Sequence, residues 1–308
     1  MHSGLLRGIA CLCVGILVFS LQDPIIKAVS ARYPLTEVMA IRCLVAFPIL
    51  MAIVHREDGL RALLSPRLKL LVLRATILFF SYTFYYLAIA ALPLADAIAL
   101  FFTAPLFIVA MAGPYLGERI TGRTLATILL GMAGVIFMLR PGAGLFEWAA
   151  LLSLGSAAFY GFAQLMARKM GDCESAGVMT FYQNGIYLVG AMVVAAFFET
   201  AGLTHAVHPS LEFLVRPWTW PTLSDFALMA ACGFIASAGM MLLSQAYRLA
   251  SANRVATFEY TGILWTPLWG FVFFAEIPRQ TTLIGAALVV GAGLLALGSG
   301  RQRRSAVA

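Results

Sequence analysis

The chain has 308 residues, of which 61% are hydrophobic and 11% are charged, and its mean hydropathy is +0.90. Soluble domains have an apolar share near one half, so this composition excludes a soluble globular protein and indicates a lipid bilayer as the solvent. A net charge of +7 would suggest nucleic-acid binding in a soluble protein. Here most basic residues stand in short loops between apolar segments, where they indicate membrane topology and no nucleic-acid partner.

Ten apolar segments are predicted to cross the membrane, because about 20 helical residues span a hydrocarbon core of about 30 Å. They cover residues 5–28, 35–54, 68–91, 94–112, 121–139, 148–166, 178–198, 223–248, 255–274 and 282–298. A secretory signal is the alternative for the first segment, since Arg7 precedes its apolar run and small residues follow it. Asp23 and Lys27 interrupt that pattern, so we expect a retained helix.

The loop charges predict the orientation of the chain. If the N-terminus is cytoplasmic, most of the lysines and arginines in the loops fall inside, as the positive-inside rule requires. We therefore expect a multi-pass protein of the bacterial inner membrane with both termini in the cytoplasm.

The ten segments form two sets of five that align with one another. At one constant shift, four residues of the first set coincide with identical residues of the second: Ala88 with Ala246, Thr103 with Thr261, Leu106 with Leu264 and Glu118 with Glu276. Proline and glycine at 141–144 mark the boundary between repeats 1–140 and 145–308. Because five is odd, the second repeat must be inverted relative to the first, the geometry of many secondary transporters.

The cysteines and the loop at 199–222 have plain interpretations. The cysteines Cys11, Cys13, Cys43, Cys173 and Cys232 show no CxxC spacing, so free thiols are expected, with no disulfide framework and no metal site. The loop at 199–222 holds His205, His208, Trp218 and Trp220, which suggest either a metal site or an external binding lip. Two histidines without a third ligand are a poor zinc signature, and tryptophans at a span edge usually anchor it in the headgroups.

Arg42 is the strongest candidate for a substrate-facing or pocket-organising residue. It lies about seven residues into the second span, and a charge buried in a bilayer costs about 2.5–3.5 kcal/mol unless a partner or cavity compensates it. The alternative is a structural ion pair with Asp23 or Glu37. Arg74 lies nearer the cytoplasmic edge of its span and is predicted to be an interface anchor.

Gln22 and Asp23 form a second candidate element. They precede Pro24, which removes a backbone donor and frees a carbonyl one turn earlier. Broken helices are tolerated in lipid where they line a cavity, so this polar pair is a candidate binding element. Ordinary polarity at an outer helix end is the alternative.

Glu259 lies about one turn into the ninth span and is a candidate for taking up protons during transport. Burial of a carboxyl group favours its protonated form. The alternative is that Glu259 extends to the cytoplasmic surface or pairs with Arg248 or Arg254.

Further polar and aromatic groups supply candidate contacts to substrate. Six rings crowd the third span, and helical geometry allows only one or two of them, Tyr82 and Tyr86, to reach a cavity. Polar side chains of other spans offer neutral hydrogen-bond partners, with contacts between helices as the alternative: Tyr160, Gln164, Tyr182, Gln183, Asn184, Ser244 and Gln245. Glycines in the fifth and tenth spans, such as Gly131 and Gly285, favour close packing or a homodimer.

These features together resemble the ten-helix EamA-type carriers of the drug/metabolite transporter superfamily. The resemblance covers nearly the whole chain and rests on the Phe19–Lys27 segment, Arg42, Pro105, and Leu116-Gly117-Glu118 with its echo Phe274-Ala275-Glu276. It implies two five-helix bundles around a central cavity lined by the first four helices of each. The sequence departs from the pattern at Ile263, the position equivalent to Pro105.

The expected function is transport of a small organic metabolite by alternating access, without a cofactor. Similar bacterial carriers import riboflavin or S-adenosylmethionine or export amino acids, and Gln22, Asp23 and the ring-rich third span favour riboflavin first. No phosphate loop, HExxH or GxSxG motif stands in the sequence, so ATP drive and enzymatic chemistry are not expected. Proton coupling and facilitated diffusion stay open, as does the alternative of a membrane sensor or assembly subunit.

Overall fold

The computed structural model describes residues 2–92, 94–139, 148–274 and some positions between 284 and 295. The boundary at 140–144, Glu276 and most of the tenth span lie outside these residues. The described α-helices are α1 His2–Ser20, α2 Gln22–Ser30, α3 Leu35–Glu57, α4 Leu68–Ala91, α5 Leu94–Phe101, α6 Ala104–Leu116, α7 Gly122–Leu139, α8 Trp148–Met170, α9 Ala176–Thr200, α10 Pro209–Val215, α11 Leu223–Leu249, α12 Ala252–Val255 and α13 Gly262–Phe274, with 3-10 turns at Leu60–Leu63 and Ala256–Thr261.

Six described helical segments are long and apolar enough to cross a membrane: Gly4–Ser30, Leu35–Glu57, Leu68–Ala91, Trp148–Met170, Ala176–Thr200 and Leu223–Leu249. Two shorter apolar helices, Ala104–Leu116 and Gly122–Phe137, accompany them. Large apolar side chains such as Val193 on α9 and Phe234 on α11 point outward, at 62% and 61% exposure. An outward apolar surface is what a bundle dissolved in lipid needs.

The first predicted span is broken into two helices. The helical hydrogen-bonding pattern is interrupted at Leu21, between α1 and α2, although Leu21 keeps helical φ and ψ of −65° and −21°; Pro24 stands in the first turn of α2. Proline has no N–H and its ring clashes with the carbonyl four residues earlier, so the helix cannot run straight through this point. The break that Pro24 indicates therefore exists, and it places Gln22 and Asp23 at the start of a new helix.

The fourth and ninth predicted spans are each interrupted in the structure. The fourth divides into α5 and α6 at Phe102-Thr103, where Pro105 stands in the first turn of α6. The ninth consists of α12, the 3-10 segment Ala256–Thr261 and α13. The two breaks adjoin Thr103 and Thr261, which coincide when the two sets of spans are aligned. Hydropathy does not register such breaks because the side chains on both sides of them are equally apolar.

The long helices pack as pairs drawn from the two sets of spans. Helix α1 packs mainly against α11, α4 against α8, and α3 against α9. The broken fourth span packs against α8 through α5 and α6, while the broken ninth span packs against α1. Among the described helices, the most extensive packing is therefore between the two sets, and the core of the described chain is a joint between them.

The loop at 199–222 is folded onto the helices. Trp218 Nε1 donates to Thr36 Oγ1 at 2.8 Å and the Thr219 backbone N–H donates to Glu37 Oε2 at 3.1 Å, so this tryptophan is bound to α3. His208 caps α10 and His205 lies 3.6 Å from Glu212. The Ala206 backbone N–H holds the pKa of the Glu212 carboxyl below its usual range. Within the described chain, no group of three metal-ligating side chains occurs.

Gly131 on α7 packs against the ring of Tyr260 in the broken ninth span. A Cβ added at Gly131 would lie 2.3 Å from Tyr260 Cδ2, and the ring is fully buried. We predict that Gly131→Ala lowers stability by about 1–3 kcal/mol, because overpacking forces buried groups to move. Thermal unfolding of the purified protein in detergent would measure the change.

Gly185 on α9 offers the matched control. An added Cβ there meets no atom within 4 Å. Alanine is the better helix former, so Gly185→Ala should leave stability unchanged or raise it by up to about 1 kcal/mol. Equal unfolding temperatures for the Gly131→Ala variant and the wild type would contradict the proposed packing of α7.

Candidate functional site

A cavity lies at the joint between the two sets of spans. It is lined by α1, α2, α4 and α5 from the first set and by α8, α11, the 3-10 segment and α13 from the second. In this conformation the cavity has a volume of about 90 Å³, whereas sites that enclose a drug-sized ligand measure roughly 300–1,000 Å³. A small organic molecule would therefore enter only if the joint opened further.

Aromatic rings make up most of the cavity wall. Six rings line it, and they come from four different spans: Phe19, Tyr82, Tyr85, Phe101, Phe102 and Tyr160. Several touch one another, as Phe19 and Tyr82 do with ring centroids 5.6 Å apart. Ile16, Ile98 and Leu243 add aliphatic surface. A mainly apolar wall with a few fixed polar groups is typical of small-molecule sites.

Asp23 brings one carboxyl group to this wall. Its Oδ2 accepts a hydrogen bond from Tyr85 at 3.3 Å, while its buried Oδ1 has no hydrogen-bond partner among the described residues. Asp23 lies in the first turn of α2, just after the interruption at Leu21. One of its carboxylate oxygens is therefore buried beside the cavity without a hydrogen-bond donor among the described residues.

Glu259 brings the second carboxyl group. The residue is 7% exposed, and its Oε1 accepts hydrogen bonds from Tyr160 at 2.9 Å and Tyr247 at 2.6 Å. The predicted alternative of pairing with Arg248 or Arg254 is wrong. Arg248 binds the Gly171 carbonyl and Arg254 binds Ser251, so Glu259 neither reaches the surface nor meets either arginine.

Arg42 is fully buried directly behind the cavity wall. Its Nη1 donates to Gln22 Oε1 at 3.2 Å and to Tyr86 at 3.5 Å, and its guanidinium lies 5.2 Å from the ring centroid of Tyr187. Gln22 in turn donates to Tyr86. Its Nε and Nη2 have no described partner.

The alternative of an ion pair between Arg42 and Asp23 or Glu37 is wrong. Asp23 is bound by Tyr85 and Glu37 by the Thr219 backbone N–H. No carboxylate in the described part of the chain comes within 4 Å of the Arg42 guanidinium. Arg42 instead fixes Gln22 and Tyr86, which are sequence neighbours of the cavity residues Asp23 and Tyr85.

Arg74 was predicted to be an interface anchor, and this was wrong. It is 1% exposed, and it donates to the Ala163 carbonyl and to Ser244 Oγ, both at 3.2 Å. The prediction rested on the short distance between Arg74 and the cytoplasmic end of its span. In the structure, α4 packs between α8 and other helices of the second set, so Arg74 contacts protein and not lipid headgroups.

The remaining predicted site residues divide into two groups. Tyr82 and Tyr160 line the cavity, and Tyr86 stacks behind Tyr82 with ring centroids 6.3 Å apart. The others are not brought to the cavity: Tyr182 binds the Leu63 carbonyl, Asn184 the Cys43 carbonyl and Gln183 the Met240 sulfur, Gln245 accepts from Arg248, and the Gln164 carbonyl oxygen is buried without a described partner. In this conformation those that are bonded connect neighbouring segments of the chain.

Several residues of the site were not predicted from the sequence, among them Tyr85, Phe101, Phe102 and Tyr247. Tyr85 could have been found, because positions three apart on a helix share a face and Tyr85 stands three residues after Tyr82. Phe101 and Phe102 come to the cavity through the break before Pro105, which hydropathy does not reveal. Tyr247 reaches Glu259 only through the contact between α11 and the 3-10 segment, for which the sequence holds no local signal.

Comparison with known proteins decides the family. The profile of the EamA-like transporter family matches residues 6–140 and again residues 147–298. The chain belongs to the EamA-like transporter family. This membership confirms the resemblance inferred from the Phe19–Lys27 segment, Arg42 and Pro105.

Three EamA-like relatives show what similar chains do. The pseudopaline exporter CntI of Pseudomonas aeruginosa (strain UCBPP-PA14) is 27% identical over 88% of this chain and 89% of its own. A riboflavin transporter of Rhizobium johnstonii is 28% identical over 70% of this chain and 65% of its own. An S-adenosylmethionine uptake transporter of Rickettsia bellii is 24% identical over 97% of this chain and 96% of its own.

The fold is shared with a solved structure as well. A crystal structure aligns with a TM-score of 0.76, covering 98% of this chain and 99% of its own, at 20% identity. Family membership and these relatives identify the chain as a small-metabolite transporter of the EamA family and a multi-pass bacterial membrane protein.

Proposed function

We propose that this chain is a secondary carrier that moves a small organic metabolite through the cavity by alternating access. One observation carries the proposal: the cavity lies between the two sets of spans and takes its polar groups from both. Asp23 and Tyr85 come from the first set, and Tyr160 and Glu259 from the second. If one set rocks against the other around this joint, the same groups face first one side of the membrane and then the other.

The packing pattern supports two inverted five-helix repeats, residues 1–140 and 145–308. By their order in the two sets, α1 corresponds to α8, α3 to α9 and α4 to α11. Exchanging the sets therefore turns the contact between α1 and α11 into the contact between α8 and α4, and it leaves the contact between α3 and α9 unchanged. The breaks in the fourth and ninth spans also exchange. A twofold relation between repeats produces such an exchange, and the family profile matches each repeat separately.

The proposed orientation has both termini in the cytoplasm of a bacterial inner membrane. The excess of loop arginines and lysines on that side supports it. Fusing a reporter active only in the cytoplasm to residue 308 would test it.

The proposed activity is transport without chemical conversion, so the substrate released from the protein should be chemically identical to the substrate that was bound. Riboflavin, which the sequence favours first, and S-adenosylmethionine are the first two compounds to test, followed by amino acids. The protein would be reconstituted into liposomes, and the liposomes would be loaded with each labelled compound. We expect flux of at least one class well above the rate of protein-free liposomes.

The matched control is the same chain with the cavity filled. Ile98 is buried on the cavity wall, and Ile98→Trp should block flux because the larger ring occupies the space that a ligand needs. Val193→Trp, on the lipid-facing surface, should leave flux unchanged. Absence of flux for every compound, or full flux in Ile98→Trp, would contradict the proposal.

A further inference from the structure

We propose that the cavity selects a small organic cation, an aromatic or methylated ammonium or sulfonium compound. The inference rests on the proposed function, because it takes the cavity to be the transport site. It adds the charge of the substrate, which the shape of the cavity does not supply and which separates the compounds transported by the relatives.

The charge of the cavity is the first argument. Asp23 and Glu259 bring two carboxyl groups to the wall, and no lysine or arginine among the described residues lines it. None of the described ion pairs involves either carboxyl. An isolated carboxylate out of water is costly unless it is paired. A bound cation would supply the missing partner.

The donors that do reach these carboxyls are neutral. Tyr85 holds Asp23, while Tyr160 and Tyr247 hold Glu259. A hydroxyl group orients a carboxylate without cancelling its charge. The buried Oδ1 of Asp23 has no described hydrogen-bond partner, so one acceptor beside the cavity is unused. Because that oxygen is buried, a bound cation would stabilise the carboxylate from the cavity side through its charge.

The aromatic wall is the second and independent argument. The faces of tyrosine and phenylalanine rings attract cations at distances within about 6 Å of the ring centre, most strongly where water is excluded. Six such rings surround the carboxyls in this cavity. A wall of rings around a negative centre binds an organic cation better than a neutral molecule. The described residues hold no group of three metal-ligating side chains that would favour a metal ion instead.

The placement of the two buried arginines excludes an anion from the same space. Arg42 and Arg74 do not line the cavity, and their side chains bind groups behind it. An anionic substrate would therefore meet two carboxyls and no positive charge. A neutral flavin would leave both carboxyls uncompensated, so this inference ranks a cationic metabolite above riboflavin.

The test compares three probes that share a phenyl ring and differ mainly in charge. They are phenethylammonium, 2-phenylethanol and phenylacetate, and each would be titrated against the purified full-length protein by calorimetry at pH 7. We expect phenethylammonium to bind at least about tenfold more tightly than 2-phenylethanol, because a hydrogen bond to a charged group is worth about 1.5–3 kcal/mol and 1.4 kcal/mol is tenfold. Phenylacetate should not bind. Equal binding of the cation and the alcohol would overturn the inference.

Two substitutions assign the effect to the cavity. Asp23→Asn and Glu259→Gln should each weaken phenethylammonium binding by about tenfold or more and leave 2-phenylethanol binding nearly unchanged. Asp225→Asn is the control of equal charge change, because Asp225 pairs with Arg32 outside the cavity. Unchanged cation affinity in both cavity variants would overturn the inference. If one variant fails to fold, the other and the three probes on the wild type decide.

Failure of this inference differs from failure of the proposed function. Flux of neutral compounds only, unaffected by Asp23→Asn, would leave the carrier intact and remove its cation selectivity. Selective cation binding without flux of any compound would support the cation selectivity of the cavity and contradict the proposed transport. Benzyltrimethylammonium, whose charge cannot be lost, separates the two cases in the liposome assay. We expect it either to be transported or to inhibit the flux of a transported compound.

Discussion

An Arg42→Met variant is expected to lose at least nine tenths of its transport while unfolding at the same temperature as the wild type or a higher one. The guanidinium is fully buried, two of its N–H bearing nitrogens have no described partner, and no described carboxylate neutralises it. Removing a charge of this kind from a bilayer saves up to about 3 kcal/mol of insertion free energy. Methionine fills a similar volume, so little packing is lost.

Transport should fall because Arg42 positions the cavity wall. It holds Gln22 and Tyr86, and their neighbours Asp23 and Tyr85 form one carboxyl–hydroxyl pair of the cavity. A costly group that persists beside a cavity is expected to act in function, since stability alone would remove it. The measurement is flux in liposomes together with thermal unfolding in detergent.

Leu44→Met is the control for Arg42→Met, because Leu44 lies on the same helix and faces lipid. It should alter neither flux nor unfolding. Arg42→Lys, which keeps the charge and loses the planar fork, should retain part of the flux. A normal flux in Arg42→Met would remove Arg42 from the transport machinery, and a large fall in its unfolding temperature would show that the charge is compensated.

A Glu259→Gln variant is expected to lose the response of flux to a pH gradient and to transport at least about tenfold more slowly. The amide oxygen of glutamine can still accept from Tyr160 and Tyr247, so the local structure should survive. What disappears is the negative charge and the ability to take up a proton. The measurement compares flux with and without an imposed pH gradient in wild-type and variant liposomes.

Glu37→Gln provides the matched control for Glu259→Gln. Glu37 is also a buried carboxyl in a span, but it accepts from the Thr219 backbone N–H at the loop and does not line the cavity. This variant should keep both its flux and its pH response. An unchanged pH response in Glu259→Gln would exclude Glu259 as the proton site.

The architecture could be predicted from the sequence because its signals are local. Apolar runs locate the spans, and loop charges give an orientation to test. Pro24 marks the break between α1 and α2, but Pro48 stands inside α3 without dividing it, so a proline locates a candidate break only. The break at Ala256–Thr261 could not be found in this way, because that segment contains no proline.

The site could be predicted only in part. Asp23 and Glu259 were named from the sequence because ionisable groups are rare and costly inside spans. Tyr82 and Tyr160 were named because a ring or a hydroxyl group could contact a substrate, and all four residues line the cavity. Their partners were not predictable in the same way. Tyr247 lies on α11 and meets Glu259 through contacts between helices that no spacing rule encodes.

The most direct test of the account is labelling of a cysteine on the cavity wall from each side of the membrane. Leu243→Cys would be placed in a chain whose five native cysteines are replaced by serine or alanine. A thiol reagent that cannot cross the membrane should label position 243 from either side, and saturating substrate should slow both reactions, while a cysteine at the lipid-facing Val193 stays unlabelled. Labelling of position 243 from one side only, with or without substrate, would contradict alternating access through this cavity.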